Sequence, residues 1–321
     1  MLCATRAWGC HQLARNSDDI RLLACHQAHG KLCSSQPVGL ISPLPGTGIR
    51  GRVIPSQQYN GSPRHRLVIH AVGTEVAVAL LDSPLRDAVC TGAAIVGAYA
   101  WVKLFNCLAQ RRVLEQKLSR KMVHMTAGPL FVLTWPLFSA SPDARLFAGV
   151  VPTLQFVRLL ALGNGWLKDE SAVKAVSREG SPEELLRGPL YYVLVLFVAV
   201  MLSWRDSHVG VTAISLMCAG DGMADIVGRR MGGAKLPFNK QKSWAGSIAM
   251  LVSGSAMSFG FIALFQSQGY FLGCDTITLQ VLASALVATI CEALPVTNFV
   301  DDNIIVPLAV AITSMAVASV L

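Results

Sequence analysis

The sequence predicts an all-α fold, a polytopic bundle of six to eight transmembrane helices. Three observations carry that expectation. Hydrophobic residues make up 53% of the 321-residue chain and charged residues only 14%, where a soluble domain carries roughly 25% charged. The apolar residues gather in runs of membrane-spanning length. No β-barrel alternation runs through them, so the spans are helices, which satisfy their own backbone groups in lipid.

Residues 1–66 stand apart. They are rich in Arg, Ser, Gly and Pro, show little hydrophobic periodicity, and hold only two acids, Asp18 and Asp19. No continuous apolar stretch of secretory type follows the start. This composition predicts a disordered organelle transit peptide, chloroplast or mitochondrial, with a cytosolic tail as the alternative. Cleavage somewhere between about 50 and 70 would leave 67–321 as the multispan domain. The segment carries +6 of the net charge of +8, so the basic excess says little about the remainder. No basic patch is interleaved with aromatics, which argues against nucleic acid as a partner. None of the nine cysteines forms a CxxC pair. Cys90, Cys107, Cys218, Cys274 and Cys291 lie in or beside apolar runs and read as small apolar residues.

From Glu75 onward the chain turns apolar. Candidate spans fall near 88–106, 123–140, 145–163, 189–204, 208–227, 245–265, 277–297 and 303–321. The fourth is short, and the second contains Pro129 and Pro136. The loop 107–122 holds Arg111, Arg112, Lys117, Arg120 and Lys121 against Glu115; the loop 228–244 holds Arg229, Arg230, Lys235, Lys240 and Lys242 with no acid. Four spans separate the two loops, so they share a side, together with the polar insert 166–187 and the Asp301-Asp302 turn. The opposite loops, 141–144, 205–207 and 266–276, are short with almost no positive charge. The positive-inside rule places the basic side in the cytoplasm or stroma. The insert 166–187 reads as a surface helix, either a solvated connector or a lid over a site.

Residues 219–247 then draw attention. A charged, glycine-rich island between apolar runs is costly unless it has a task. Asp221 and Asp225 are four apart and share a helix face. Two such carboxylates suit Mg²⁺ when phosphates add further oxygens. An Asp–Arg pair with Arg229, closing the helix end, is the structural alternative. Gly220, Gly222, Gly228, Gly232 and Gly233 allow close backbone approach, although Gly228 and Gly232 also form a GxxxG helix-packing motif. Lys240, Lys242, Ser243, Gly246 and Ser247 precede and open the next span, where free N–H groups and a positive dipole end could cradle phosphate. Anchoring at lipid head groups is the alternative. Neither a Walker A nor a GxGxxG fingerprint is present. Lys121 and His124 face the same way at the start of the second span. His124 could serve as a general base or phosphate contact, or be a plain interfacial residue. Glu292, inside an apolar run, is a functional candidate by rarity, and Asp301, Asp302 and Asn303 follow it. Asp302 or Asn303 could instead cap the last span.

Three ordered motifs resemble the polyprenol kinase family, which includes dolichol kinases and plastid phytol and farnesol kinases. They are Arg120-Lys121-x-x-His124, Gly220-Asp221-x-x-Ala224-Asp225-x-x-Gly228 and Lys242-Ser243-x-x-Gly246-Ser247. The likeness covers roughly residues 85–321. Within the family, Ser177-Arg178-Glu179-Gly180, Glu184-Leu185-Leu186-x-Gly188-Pro189-Leu190 and Glu292-x-Leu294-Pro295 are most similar to the phytol kinases, and the plastid-type N-terminus agrees. The third motif is also similar to the phosphatidate cytidylyltransferases, but an acidic-basic signature expected near their C-terminus is missing.

The resemblance implies a multi-pass chloroplast membrane enzyme. It would move a phosphoryl group from CTP, with UTP an open alternative, to phytol or another isoprenoid alcohol such as geranylgeraniol or farnesol. Phytyl phosphate made this way feeds tocopherol synthesis. Asp221 and Asp225 would hold Mg²⁺ and triphosphate; Lys121, Gly228, Arg229, Lys240, Lys242, Ser243, Gly246 and Ser247 would contact phosphates; His124 or a second carboxylate would orient the hydroxyl. Partners are then the alcohol, the nucleotide and the bilayer. A cytidylyltransferase-like enzyme is the second reading. A transporter is the third, disfavoured because its charges would sit near the midplane in broken helices.

Overall fold

Helix formation follows the apolar runs. The computed structural model describes residues 84–177, 180–271, 276–295 and 300–320, all within the compact unit Glu75–Leu321. The segment 1–66, expected from its composition to be a transit peptide, lies outside the described residues, as do Arg178, Glu179 and Cys274. The helices are α1 (Pro84–Gln110), α2 (Gln116–Thr134), α3 (Ala144–Gly163), the short α4 (Glu170–Val176), α5 (Gly188–Ser203), α6 (His208–Ser215), α7 (Asp221–Met231), α8 (Trp244–Ser267), α9 (Ile277–Ala293) and α10 (Asp302–Val320). Tight 3₁₀ turns occupy Trp135–Leu137 and Pro182–Leu186, and one π-helical turn, Leu216–Gly220, joins α6 to α7. The described residues contain no β-strand beyond an isolated bridge between Lys235 and Ser243.

Each of the eight expected spans contains a helix. Among the described residues, six helical stretches are long and apolar enough to cross a bilayer. The other two are α9, which is short at 17 residues, and α2, whose first turns carry Lys117, Arg120 and Lys121. Side-chain caps start several elements where the sequence supplies Ser or Asp: Asp169 accepts from the N–H of Ala172, Ser207 from Val209 and Ser243 from Gly246.

The rod formed by α6, the π turn and α7 is the centre of the bundle. In its most apolar stretch 72% of residues are buried, against 11–33% in the other long helices. α2, α5, α8 and α10 pack around it, while α1 and α3 lie further out. Small residues set the closeness of that packing. A Cβ on Gly254 of α8 would fall 2.3 Å from Leu216 of the π turn, and one on Gly246 would fall 2.9 Å from the carbonyl of Ala224.

The two ends of the bundle differ chemically. At one end meet the starts of α2, α5, α8 and α10 and the ends of α3, α7 and α9. Contacts across this end confirm the alternation: Lys121 Nζ donates to Asp221 at 2.9 Å, Asn303 to the carbonyl of Gly188 at 3.2 Å, and Asn239 to the carbonyl of Ala293 at 3.0 Å. The loops 111–115 and 232–243 therefore share a side, as the even number of spans requires.

The other end holds a polar plug that the sequence pattern did not reveal. Arg205 is buried and donates to the carbonyls of Phe138 and Ser139 and to the Tyr270 hydroxyl, at 3.3, 2.5 and 2.8 Å. Its guanidinium lies 5.0 Å from the ring centres of both Trp204 and Tyr270. Asp87, also buried, accepts from the backbone N–H and the hydroxyl of Ser139 at 2.7 Å each. Arg205 thus points into protein and contributes no positive charge to the surface of that side.

This arrangement fixes an expected labelling pattern. In a cysteine-reduced background, Lys117→Cys and Lys240→Cys are expected to react with a membrane-impermeant maleimide from one side, and Asp143→Cys and Gln268→Cys from the other; these four positions are exposed. Reaction of Lys117→Cys and Lys240→Cys from opposite sides would overturn the topology.

Candidate active site at the basic end of the bundle

The π turn delivers Asp221. A π-helical turn widens the backbone by one residue, and such turns gather at functional sites. It ends at Gly220, so Asp221 opens α7 facing α2. There Lys121 Nζ sits 2.9 Å from Asp221 Oδ2, and His124 Nε2 lies 3.5 Å from the same oxygen with no hydrogen bond of its own. Lys121 and His124, three apart, present one face of α2 as their spacing requires. Ten residues separate Asp221 from Met231, about 15 Å of helix. The end of α7 therefore runs past the level of Lys121 rather than stopping at it.

Tyr192 of α5 holds His124 in an unusual way. Its hydroxyl accepts from the Gly128 N–H at 2.7 Å and donates to the His124 carbonyl at 3.0 Å. These are the two groups that a regular helix would bond to each other. The tyrosine is thus inserted into the ladder of α2, and Pro129, next in line, has no N–H to give Met125. The Tyr192 and His124 rings lie 4.7 Å apart. Gly128 is required here: a Cβ would come 2.7 Å from the hydroxyl and 2.8 Å from Cys218 Sγ. Nothing in the spacing of Tyr192 announced this role; only the Gly128-Pro129 pair in α2 hinted at a broken ladder.

A second charged group faces the first. The loop 232–243 folds back on itself, with Leu236 N–H donating to the Lys242 carbonyl at 3.1 Å and Trp244 N–H to the Ala234 carbonyl at 3.2 Å. Buried Asn239 pins the loop to the end of α9. Lys242 is thereby brought into contact with Glu292 and to 3.7 Å from Asp302. Burial works against its ammonium, but Glu292 and Asp302 outweigh that and hold its pKa above the ordinary lysine value. Glu292 is only 3% exposed. Among the described residues, carboxylate oxygens of Asp221, Glu292 and Asp302 lie within 4.8 Å of one another. Asp302 Oδ1 is buried without a hydrogen-bond partner.

The expected site residues thus divide. Lys121, His124, Asp221, Lys242, Glu292 and Asp302 converge. Asp225 and Arg229 line the same cavity, but Asp225 lies outside the carboxylate group: its Oδ1 is 2.7 Å from Arg229 Nε, the helix-end ion pair considered above, so the converging carboxylates come from three helices instead of one. Asp301 caps α10 by accepting from the Asn303 N–H at 2.9 Å, so the cap falls one residue earlier than expected. Lys240 is exposed and does not reach the site, whereas Lys235 does. Ser243 is engaged as the cap of α8. Gly228 and Gly246 meet across the α7–α8 crossing, so helix packing accounts for both, and both border the site. The buried Ser247 hydroxyl oxygen has no hydrogen-bond partner and faces the same space.

That space is a cavity of about 1940 Å³. Its charged end is the group just described, and the insert 166–187 walls it through Ala175, Glu184 and Arg187, so the insert borders the site as a lid would. Asp169, the cap of α4, has its pKa lowered chiefly by the Ala172 N–H and the Ser171 hydroxyl. Its partner Arg158, at 3.3 Å, lies 5.6 Å over the Tyr99 ring and ties α1 to α3.

Comparison with known proteins agrees with the motifs. A protein of Oryza sativa subsp. japonica named probable phytol kinase 1, chloroplastic, is 52% identical over 235 residues, 73% of this chain and 75% of the relative. A Triticum aestivum protein named probable phytol kinase, chloroplastic, is 50% identical over 256 residues, 77% and 85% of the two chains. Phytol kinase 1, chloroplastic, of Arabidopsis thaliana is 44% identical over 247 residues, 77% and 79%. No family model matches the chain and no solved structure does so significantly. The chain belongs to the phytol kinase family.

Two expected outcomes test the geometry. Lys242→Met leaves Glu292 buried and unpaired, which is expected to cost about 3 kcal/mol. Adding Glu292→Gln should recover most of the loss in thermal unfolding in detergent, whereas additive losses would show that the two groups do not interact. Tyr192→Phe keeps the ring but lets Gly128 bond directly to His124. Turnover is expected to fall about 10-fold or more while stability changes by no more than about 1 kcal/mol; unchanged turnover would show that His124 does not depend on the hydroxyl.

Proposed function

We propose that this member of the phytol kinase family phosphorylates phytol at the stromal face of a chloroplast membrane, with CTP as donor and Mg²⁺ as cofactor. The observation that carries the reading is the convergence of Lys121, His124, Asp221, Lys242, Glu292 and Asp302 at one end of the bundle. There a water-soluble nucleotide and the hydroxyl of a membrane-dissolved alcohol can both arrive. Phosphoryl transfer asks mainly for positioning and neutralisation of charge, and this group supplies both. CTP as the donor comes from the motif resemblance. Residues 1–66 fit as the transit peptide, and the relatives' names place them in chloroplasts. The product, phytyl phosphate, would feed tocopherol synthesis.

The residues fit a divalent ion. Three carboxylates from three helices approach one another, and one of their oxygens is buried without a partner. Asp221, Glu292 and Asp302 would hold Mg²⁺, which when bound neutralises phosphate oxygens. Lys121 and Lys242 would bind triphosphate oxygens as point charges. The N–H groups at the start of α8 and the Ser247 hydroxyl would add donors. His124, aligned by Tyr192, would orient the acceptor hydroxyl. The hydroxyl oxygen bonds to the γ-phosphorus, the bond from that phosphorus to the β-bridging oxygen breaks, CDP leaves, and His124 Nε2 takes the hydroxyl proton.

Membranes containing the protein are expected to transfer label from γ-labelled CTP to phytol. Cytidine label in the lipid would move the reading to a cytidylyltransferase, and transfer of neither label would overturn it. Asp221→Asn is expected to lower turnover at least about 100-fold. Asp225→Asn, whose target is paired with Arg229, should stay within about fivefold.

A further inference from the structure

The cavity is larger than its charged end needs. A small-ligand pocket has a volume of roughly 300–1,000 Å³, and this one has about 1940 Å³. Beyond His124 and Asp221 its lining becomes apolar and descends between α1, α2, α3 and α5. The lining residues farthest from the charged end on these helices are Ile95, Phe131, Val151 and Leu196. Their positions agree in depth. Phe131 lies seven residues past His124 on α2, and Leu196 eight past Gly188 on α5, which is about 10 to 12 Å along either helix. Phe131 and Leu196 are buried, so they form a closed floor. Val96 at 68% exposure and Leu154 at 50% flank the opposite wall. They stand on α1 and α3, the outer helices of the bundle, so a path from the furrow to lipid would run between them.

We propose that this furrow is the subsite for the isoprenoid chain of the alcohol, and that it reads only the hydroxyl-proximal part. The inference rests on the alcohol kinase reading above. A chain whose hydroxyl stands at His124 and Asp221 has one apolar path, down the furrow. After about 10 to 12 Å it meets the floor of Phe131, Leu196 and Val151 and leaves between α1 and α3 into the bilayer. The specificity-determining residues are therefore those of the floor. Chain length beyond that depth is not measured by the protein.

Two measurements test this. In the first, wild-type protein in nanodiscs is photolabelled with isoprenoid alcohols that carry either a near diazirine, about 10 Å along the chain from the hydroxyl at the depth of the floor, or a far one at the chain's end. The near probe is expected to label peptides containing Phe131 or Leu196 and to be displaced by excess phytol. The far probe should label lipid or the exposed lip on α1 and α3. Labelling of α8 to α10 by the near probe would overturn the proposal, as would displacement by phospholipid as effective as displacement by phytol. In the second, Val151→Trp fills the floor. The kcat/KM for a twenty-carbon alcohol is expected to fall about 10-fold or more relative to that for a five-carbon alcohol, with the KM for CTP little changed; an unchanged ratio would overturn the proposal. If Val151→Trp does not assemble, the labelling of wild-type protein decides. Failure of the kinase reading is seen separately, as absence of phosphoryl transfer to any alcohol while phytol-displaceable labelling of the furrow persists.

Discussion

The site depends on charges that would be too costly to bury alone. Glu292 is nearly inaccessible and Asp221 is half-buried at a membrane-facing bundle end. An isolated carboxylate in such surroundings loses most of its hydration. Each is neutralised by a lysine from a distant part of the chain, Lys121 for Asp221 and Lys242 for Glu292 and Asp302. Those lysines bring in α2 and the loop 232–243, and the loop is in turn pinned to α9 by Asn239. The electrostatic requirement therefore also organises the chain: it joins α2, α7, α9, α10 and the loop before α8 at one end.

The backbone departs from regular helix where this cluster forms. The π turn Leu216–Gly220 precedes Asp221, and the Tyr192 hydroxyl replaces a direct bond between Gly128 and His124. Such departures leave backbone polar groups to be satisfied by other means, which in a membrane is feasible only inside protein. Both lie in the most enclosed part of the bundle, among Cys218, Ile214 and Leu216. The glycines nearby serve this close packing. Gly128 makes room for the tyrosine hydroxyl and Gly254 for Leu216, and Gly246 allows α8 to reach α7.

The spans, their order and which loops share an end were legible in the sequence because burial in lipid writes itself as long apolar runs and asymmetric loops. Lys121, His124, Asp221, Lys242 and Glu292 were legible because charge beside such runs is rare. What the sequence could not convey was pairing. Asp225 has the same helical spacing to Asp221 as a metal pair would, yet it also has that spacing to Arg229, and the ion pair is the contact made. Asp302 joins Asp221 only through the packing of α10 against the π turn before α7, which no local pattern encodes. Tyr192 was invisible for the same reason, since its role lies in another helix's hydrogen bonds. Arg205 escaped notice because a lone charge in a short loop reads as surface, and Asp87 because an acid in the first turn of a helix does, whereas both are buried.

The opposite end of the bundle bears on the choice between enzyme and transporter. A transporter needs a site reachable from both faces in turn. Here the charged cluster opens at one end. Below it stand Phe131 and Leu196, and beyond them a layer of fully buried Trp135, Phe138 and Phe265, in which Trp135 and Phe138 pack on Trp204 and Phe265 on Trp135. Arg205 stitches that layer to the turns at 138–139 and to Tyr270 with three hydrogen bonds. Opening a path through it would unpair the buried guanidinium and separate aromatics packed edge-to-face and tilted, at a cost of several kcal/mol. The far end is built to stay shut, and a cavity closed there but open at the charged face suits chemistry between a soluble and a membrane-dissolved substrate.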